Sequence, residues 1–213
     1  MNDRVPVMVV VSGPSGAGKS TLLRRVLSQL DRIRFSVSHT TRAARDGEAE
    51  GVDYHFVGRT EFERLVNEGA FLEWAQVHGE LYGTARAEYE RAERDGVDLL
   101  LDVDVQGAAQ VRGHFPEAVT VFVLPPSYLD LERRLRGRGQ GDEEAFRRRL
   151  ETARAEMSLY PEYDYVILNK ELGRGAEDLK AVIRAARCRT RRMDAVARKI
   201  LDTFRPTKAD ERK

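Results

Sequence analysis

Nine consecutive residues carry the clearest chemical signal in the chain: Gly13-Pro14-Ser15-Gly16-Ala17-Gly18-Lys19-Ser20-Thr21. They follow the apolar run Val7–Val11. They precede a helical pattern with Leu22, Leu23, Val26, Leu27 and Leu30 on one side. The spacing is G-x-x-x-x-G-K-[ST], and a strand before it with a helix after it is the setting this motif needs. Its glycines let the backbone curl so that successive N–H groups face one anion, and the helix adds its positive N-terminal end. Lys19 supplies a mobile charge for β- and γ-phosphates, and the Ser20 hydroxyl can ligate Mg²⁺. The chain is expected to bind a nucleoside triphosphate.

A second group of residues suits a phosphorylated base. Ser36-Val37-Ser38-His39-Thr40-Thr41-Arg42 leads to Arg45 and Glu48, and Asp53-Tyr54 follows. Further on stand Phe71-Leu72-Glu73-Trp74 and Tyr82-Gly83-Thr84. Two guanidiniums and two tyrosine hydroxyls, from Arg42, Arg45, Tyr54 and Tyr82, can hold a phosphate dianion with directional bonds. Glu73 lies among Phe71, Leu72 and Trp74, and a carboxylate half buried there needs a donor partner. Guanine offers two adjacent donors, N1–H and the 2-amino group, where adenine offers no such pair. The hydroxyls of Ser38 and Thr84 can donate to the guanine O6. Asp102 closes the apolar run Asp98-Leu99-Leu100-Leu101. That places it at the carboxyl edge of a sheet, where ligands bind in open α/β folds. Capping of the following helix is the competing reading for Asp102, and Asp104 is open between the two.

The elements that must position these residues follow from the apolar pattern. Strand-like runs recur at Val7–Val11, Phe35–Val37, Val97–Val103, Val119–Leu124 and Tyr165–Leu168. Several are apolar at nearly every position, as in a parallel sheet buried on both faces. Helical patterns fall between them, which predicts an α/β sandwich. Residues 38–94, rich in Gly, Tyr and charge with a strand-like piece at Tyr54–Val57, interrupt that rhythm. So do the arginine-dense residues 130–160. In the latter, Asp142 reads as a helix N-cap, and Phe146, Leu150, Ala153, Met157 and Tyr160 form one apolar stripe. Arg147, Arg148, Arg149 and Arg154 occupy other faces, with Arg134, Arg136 and Arg138 across the preceding turn. A mobile lid delivering two or three such arginines would neutralise transition-state charge and exclude water. Two further helices are expected at Ala176–Arg187 and Arg191–Phe204.

The bulk numbers bound the class. The 213 residues suit one α/β domain with subdomains, and 41% hydrophobic with 33% charged residues suits a soluble chain with a sizeable core. A formal net charge of +1 gives no electrostatic case for nucleic acid or a membrane surface. The lone Cys188 excludes an internal disulfide and a cysteine zinc cluster. No stretch reads as a signal peptide or membrane span, so a cytoplasmic protein is expected. His39, His55, His78 and His114 lack metal-ligand spacing. Trp74 reads as packing, Cys188 as a small core or surface residue of a helix, and Arg187–Arg192 as a solvated helix face.

Taken together, these words resemble the guanylate kinase family of P-loop nucleoside monophosphate kinases. The match runs through Gly13–Thr21, Phe35–Arg42, Gly47-Glu48, Gly51 with Asp53-Tyr54, Phe71–Glu73, Tyr82–Thr84, and Leu101–Asp104 with Gln106-Gly107. It continues through Arg133–Leu135, Arg138-Gly139, Arg149-Leu150 and Tyr163–Ile167 to Asn169. The resemblance covers nearly the whole chain, to about residue 190. It implies Mg²⁺-dependent transfer of the ATP γ-phosphate to GMP by a monomer or homodimer. The implied fold is a P-loop three-layer sandwich with a parallel five-stranded core sheet, a GMP-binding subdomain and a helical lid. The implied division is 1–37, 98–129 and 161–205 for the core, 38–97 for the GMP-binding subdomain, 130–160 for the lid and 206–213 for a tail.

By position, the resemblance assigns ATP to Gly13, Pro14, Ser15, Gly16, Ala17, Gly18, Lys19, Ser20, Thr21 and Asn169. It assigns the GMP phosphate to Arg42, Arg45, Tyr54 and Tyr82. Guanine falls to Ser38, Glu73 and Thr84, with Gly83 among the GMP contacts and Asp102 beside the base or metal, and Mg²⁺ to Ser20 and Asp102. Lys19 and the lid arginines Arg134, Arg138 and Arg149 take catalytic roles. Ala44, Leu81, Val105 and Lys170 depart from the usual pattern without removing a reacting group. Two other classes compete: a non-catalytic scaffold with this fold, and a kinase acting on another phosphorylated acceptor. The intact Lys19, Ser20 and Asp102 oppose the first, and Ser38, Glu73 and Thr84 together oppose the second.

Overall fold

A computed structural model describes residues 4–77, 79–137 and 143–204. Arg138, Asp142, His78 and the tail at 206–213 lie outside the described residues. Five strands form a wholly parallel sheet: β1 (Met8–Ser12), β2 (Ile33–Phe35), β7 (Asp98–Asp102), β8 (Val119–Leu124) and β9 (Tyr165–Leu168), in the spatial order β2-β7-β1-β8-β9. The central strand is buried on both faces. Val7, Val9 and Val11 pack beneath α1 (Lys19–Leu27) and α7 (Leu172–Arg187), through Leu22, Leu23, Val26, Leu179 and Ile183. Met8 and Val10 face the opposite way, toward Ala92 of α3 (Arg86–Asp95) and Ala108 and Val111 of α4 (Val105–His114). This even-and-odd division is why the run reads as continuously apolar: the strand has no wet face.

A second sheet lies within residues 39–85. Its strands β3 (His39–Thr40), β4 (His55–Phe56), β5 (Phe71–Val77) and β6 (Glu80–Ala85) are ordered β4-β3-β6-β5. It carries its own small core of Phe62, Phe71 and Leu81, with Phe62 supplied by α2 (Arg59–Asn67). The sequence pattern predicts only the β4 piece of this sheet. The β5–β6 hairpin escapes it because Phe71, Leu72 and Glu73 are buried in succession, which breaks the period of two. A register shift between Phe71 and Glu73 is the cause.

The arginine-dense segment forms α5 (Tyr128–Arg136) and α6 (Glu143–Met157). The stripe Phe146, Leu150, Ala153 and Met157 packs on Leu131 and Leu135 as expected. Tyr160 leaves the stripe: α6 ends at Met157, and Tyr160 opens a 3-10 turn with Pro161 and is 47% exposed. Proline disfavours helix at the residue before it. The last helix, α8 (Thr190–Asp202), buries Arg192 but leaves Ile200 exposed, and Phe204, expected within it, lies beyond its end and is exposed as well. Cys188 caps α7 and is exposed, and Trp74, expected as packing, is 41% exposed. No helix among the described residues is long and apolar enough to cross a membrane.

One buried ion cluster ties the N-terminal segment to the sheet and α7. Asp98, fully buried at the start of β7, accepts from Arg4 at 2.6 and 3.0 Å, from Arg187 Nε at 2.6 Å and from the Val7 N–H at 2.8 Å. A carboxylate tolerates such burial only when its acceptor sites are filled.

Candidate functional site

The phosphate loop leaves β1 and feeds α1. Gly13 has φ 141°, and a Cβ there would stand 2.3 Å from the Val123 carbonyl oxygen. Gly18, at the cap of α1, has φ 89°, and its Cβ would stand 2.5 Å from Asn169 Nδ2. Both positions therefore demand glycine, for conformation and for space. No side chain caps α1, so its first N–H groups remain directed at the loop's concavity. Lys19 Nζ donates to the Gly13 carbonyl at 2.6 Å and lies 4.0 Å from Asp102 Oδ1. Ser20 Oγ donates to Asp102 Oδ2 at 3.5 Å. Thr21 is exposed on the first turn of α1. Behind the loop, Asn169 Nδ2 donates to the Ala17 carbonyl at 2.8 Å, and Arg134 Nη1 reaches the same oxygen at 3.1 Å.

A cavity of about 250 Å³ opens from this loop. One side is the loop itself, with Gly13, Lys19 and Ser20. Ser38, Tyr54, Glu73 and Tyr82 form the other, with Asp102 and Asp104 between. Glu73 is 4% exposed. Burial pushes its carboxyl up to about 7, with the Asp104 charge adding to the rise and hydrogen bonds from Thr84 opposing it. Thr84 pairs with Glu73 across the β5–β6 ladder, and its hydroxyl lies 3.4 Å from Ser38 Oγ. The three residues expected at a guanine edge thus meet around one point. At Gly83, expected among the GMP contacts, a Cβ would meet Phe62, Phe71 and Trp74, each at 3.1 Å.

The set expected at the acceptor phosphate is partly assembled. The Tyr54 and Tyr82 rings stand edge to face at 5.9 Å, with the Arg42 guanidinium 5.4 Å from the Tyr54 ring centroid. Arg42 Nη2 donates to both oxygens of Glu48, at 2.8 and 2.9 Å, and Glu48 also accepts from the Arg45 N–H at 2.8 Å. The Arg45 side chain is exposed. Glu48 therefore organises this loop, a role its sequence position does not announce. Of the arginines expected to act from a lid, Arg134 braces the phosphate loop, Arg149 is half-buried on α6, and Arg138 falls outside the described residues.

Asp104 resolves as an N-cap: its Oδ1 accepts from the Gly107 N–H at 2.8 Å and opens α4. It still faces the cavity. Glu156, on α6, was not among the expected residues. It lines the same cavity, where burial raises its carboxyl, Lys19 lowers it, Asp104 raises it, and a bond from the Ser15 N–H lowers it. It sits beside the stripe residues Ala153 and Met157, and nothing in a single sequence separates it from the solvated glutamates of that helix.

The guanylate kinase family model matches residues 6–186. A guanylate kinase of Syntrophotalea carbinolica is 48% identical over 196 residues, covering 92% of this chain and 93% of that one. One from Geobacter sulfurreducens is 46% identical over 195 residues, covering 91% and 96%. Among solved structures, a guanylate kinase from Anaplasma phagocytophilum superposes with a TM-score of 0.75 at 38% identity, covering 89% of this chain and 90% of that one. With its parallel sheet, its phosphate loop and these matches over most of its length, the chain belongs to the guanylate kinase family.

Proposed function

We infer that the chain transfers the γ-phosphoryl group of ATP to GMP, giving ADP and GDP. The observation that carries this reading is the single cavity with the phosphate loop on one side and Ser38, Glu73 and the two tyrosines on the other. Such a cavity brings a triphosphate and a purine monophosphate end to end. The phosphate oxygen of GMP is already a nucleophile, so the protein needs alignment and charge neutralisation rather than a strong base. Lys19 and the loop N–H groups hold the β- and γ-phosphates. Arg42, Arg45, Tyr54 and Tyr82 hold the acceptor phosphate, with Arg42 exchanging Glu48 for it. Glu73 accepts from N1–H and the 2-amino group of guanine, and Ser38 and Thr84 donate to O6.

Ser20 and Asp102 present a hydroxyl and a carboxylate 3.5 Å apart beside the loop. Two hard oxygen donors on the phosphate side fit Mg²⁺, and Ser20 and Asp102 would hold it beside the phosphates. When bound, the ion would neutralise charge on the transferring phosphates.

Arg134, Arg138 and Arg149, carried on 130–160, are read as closing over the phosphates, and Asn169 as lying near adenine. The core at 1–37, 98–129 and 161–205 and the acceptor subdomain at 38–97 then divide donor from acceptor binding. A cytoplasmic location follows from the two nucleotide substrates. A coupled ADP-release assay across GMP, AMP, UMP, dTMP and a ribose bisphosphate tests the reading. GMP alone is expected to support rapid turnover, and equal turnover with AMP would overturn it.

A further inference from the structure

Glu73 stands unusually close to a helix backbone. A Cβ built on Gly107, in the first turn of α4, would lie 2.3 Å from Glu73 Oε2, 3.0 Å from its Cδ and 3.3 Å from Asp104 Oδ1. Real side chains do not tolerate the first of these distances. Glu73 cannot retreat cheaply, because hydrogen bonds from Thr84 hold its carboxyl from the β6 side. The strand beneath it is fixed as well. Gln110, one turn along α4 from Gly107, donates to the Trp74 carbonyl at 2.7 Å and accepts from the Trp74 N–H at 3.2 Å. That clamp joins α4 of the core to β5, the edge strand of the second sheet. The Gly107 N–H is taken by Asp104 Oδ1, so it does not occupy the Glu73 carboxylate. The carboxylate rests on the bare first turn of α4, at the positive end of the helix, and keeps for a ligand the acceptor sites that Thr84 leaves.

We propose that Gly107 is a positioning residue for base specificity: the absence of a side chain there lets the Glu73 carboxylate stand where the two adjacent donors of a guanine edge reach it. A methyl group at this position moves the carboxylate off the donor pair. Misplacement of about 1 Å at a recognition group is enough to cost up to about a hundredfold in rate. The proposal rests on the reading of Glu73 given above.

Two cycles test it. The first measures kcat/KM for GMP and for IMP, which keeps N1–H and lacks the 2-amino group. Gly107→Ala should lower the GMP value by about tenfold to a hundredfold, shrink the preference for GMP over IMP, and leave the ATP KM within about twofold. In a Glu73→Ala background the same substitution should cost less than about threefold, because the group it displaces is gone. Equal costs in both backgrounds would overturn the proposal.

The second cycle is thermal and needs no substrate. Alanine is the better helix former, so Gly113→Ala should raise Tm without changing GMP kinetics; nothing lies within 4 Å of a Cβ at that position. Gly107→Ala should instead lower Tm, and Glu73→Ala should restore it. If Gly107→Ala fails to fold, a folded double variant supports the proposal, and two unfolded variants assign Gly107 to helix packing and overturn it. Should Glu73→Ala alone leave the GMP-over-IMP preference intact, the guanine reading fails while the thermal cycle still reports on the contact.

Discussion

Glu73 and Thr84 face each other across the β5–β6 ladder, and Thr84 supplies hydrogen bonds to a carboxylate that is otherwise almost wholly removed from water. Those bonds do not offset burial, which is why the carboxyl is raised to about 7. The folded chain thus holds a proton that the unfolded chain releases near pH 4.5. Stability from this group is fully present below about pH 4.5 and is lost as pH rises through about 7, to the extent of roughly 3 kcal/mol. On the proposed reading, bound guanine reverses the preference, since N1–H and the 2-amino group favour the ionised form.

GMP binding should accordingly tighten as pH rises from about 6 to 8 and release a proton below about 7. Titration calorimetry in buffers of different ionisation enthalpy reads that proton. The GMP phosphate titrates in the same range, so the contribution of Glu73 is the part that disappears in Glu73→Gln. Without ligand, Glu73→Gln should gain Tm relative to the unsubstituted protein as pH rises from about 4.5 to about 7, and the gain should level off above that, where the buried charge forms. Identical pH profiles for the two proteins would remove Glu73 from the pocket chemistry.

The donor half of this site was legible because its motif is local: the loop between β1 and α1 has three positive-φ glycines, Gly13, Gly16 and Gly18. The central strands were legible because burial on both faces leaves an uninterrupted apolar run. The acceptor half was legible only as a set of residues. The hairpin carrying Glu73 was hidden by a register shift, which breaks the alternation on which strand recognition depends. Glu48 was named without a role, and Glu156 was not named, for a different reason. Their roles come from what folds against them, Arg42 and the Ser15 N–H, and acidic residues among many arginines read as solvated charge.

Lys19 bridges the mouth of the phosphate loop to Gly13 and contributes no packing to the core. Lys19→Met should abolish turnover, by at least about a thousandfold, with Tm within a few degrees of the unsubstituted protein. Circular dichroism and the ADP-release assay together decide it: a folded variant with near-normal kcat would refute the donor-site assignment.

Arg42 and Arg149 should separate in kinetics. Arg42 already lies beside Tyr54 and bonds Glu48, so exchanging that carboxylate for a phosphate needs little movement. Arg42→Ala should raise the GMP KM by about tenfold or more, since charge-assisted bonds contribute about 1.5–3 kcal/mol. Arg149 stands on α6 and is read as engaging the phosphates only on closure. Arg149→Ala should depress kcat more than it raises the GMP KM. A kcat within about twofold, an effect below roughly 0.5 kcal/mol, would return Arg149 to the surface of the helix.

Glu156 presents the opposite case, a carboxylate where phosphates belong. It takes a bond from the Ser15 N–H of the phosphate loop and faces Lys19. A triphosphate entering the loop must displace it, then experience its charge at short range in a partly desolvated cavity. Glu156→Gln removes the charge and keeps the shape, so ATP should bind about threefold to tenfold more tightly, with GMP affinity unchanged. The gain should shrink as salt is raised from about 50 to 500 mM, because screening weakens the repulsion that the substitution abolishes. Calorimetric titration of ATP into both proteins at each salt concentration measures this. Weaker ATP binding by Glu156→Gln would mean that the carboxylate supports the bound triphosphate rather than holding its place.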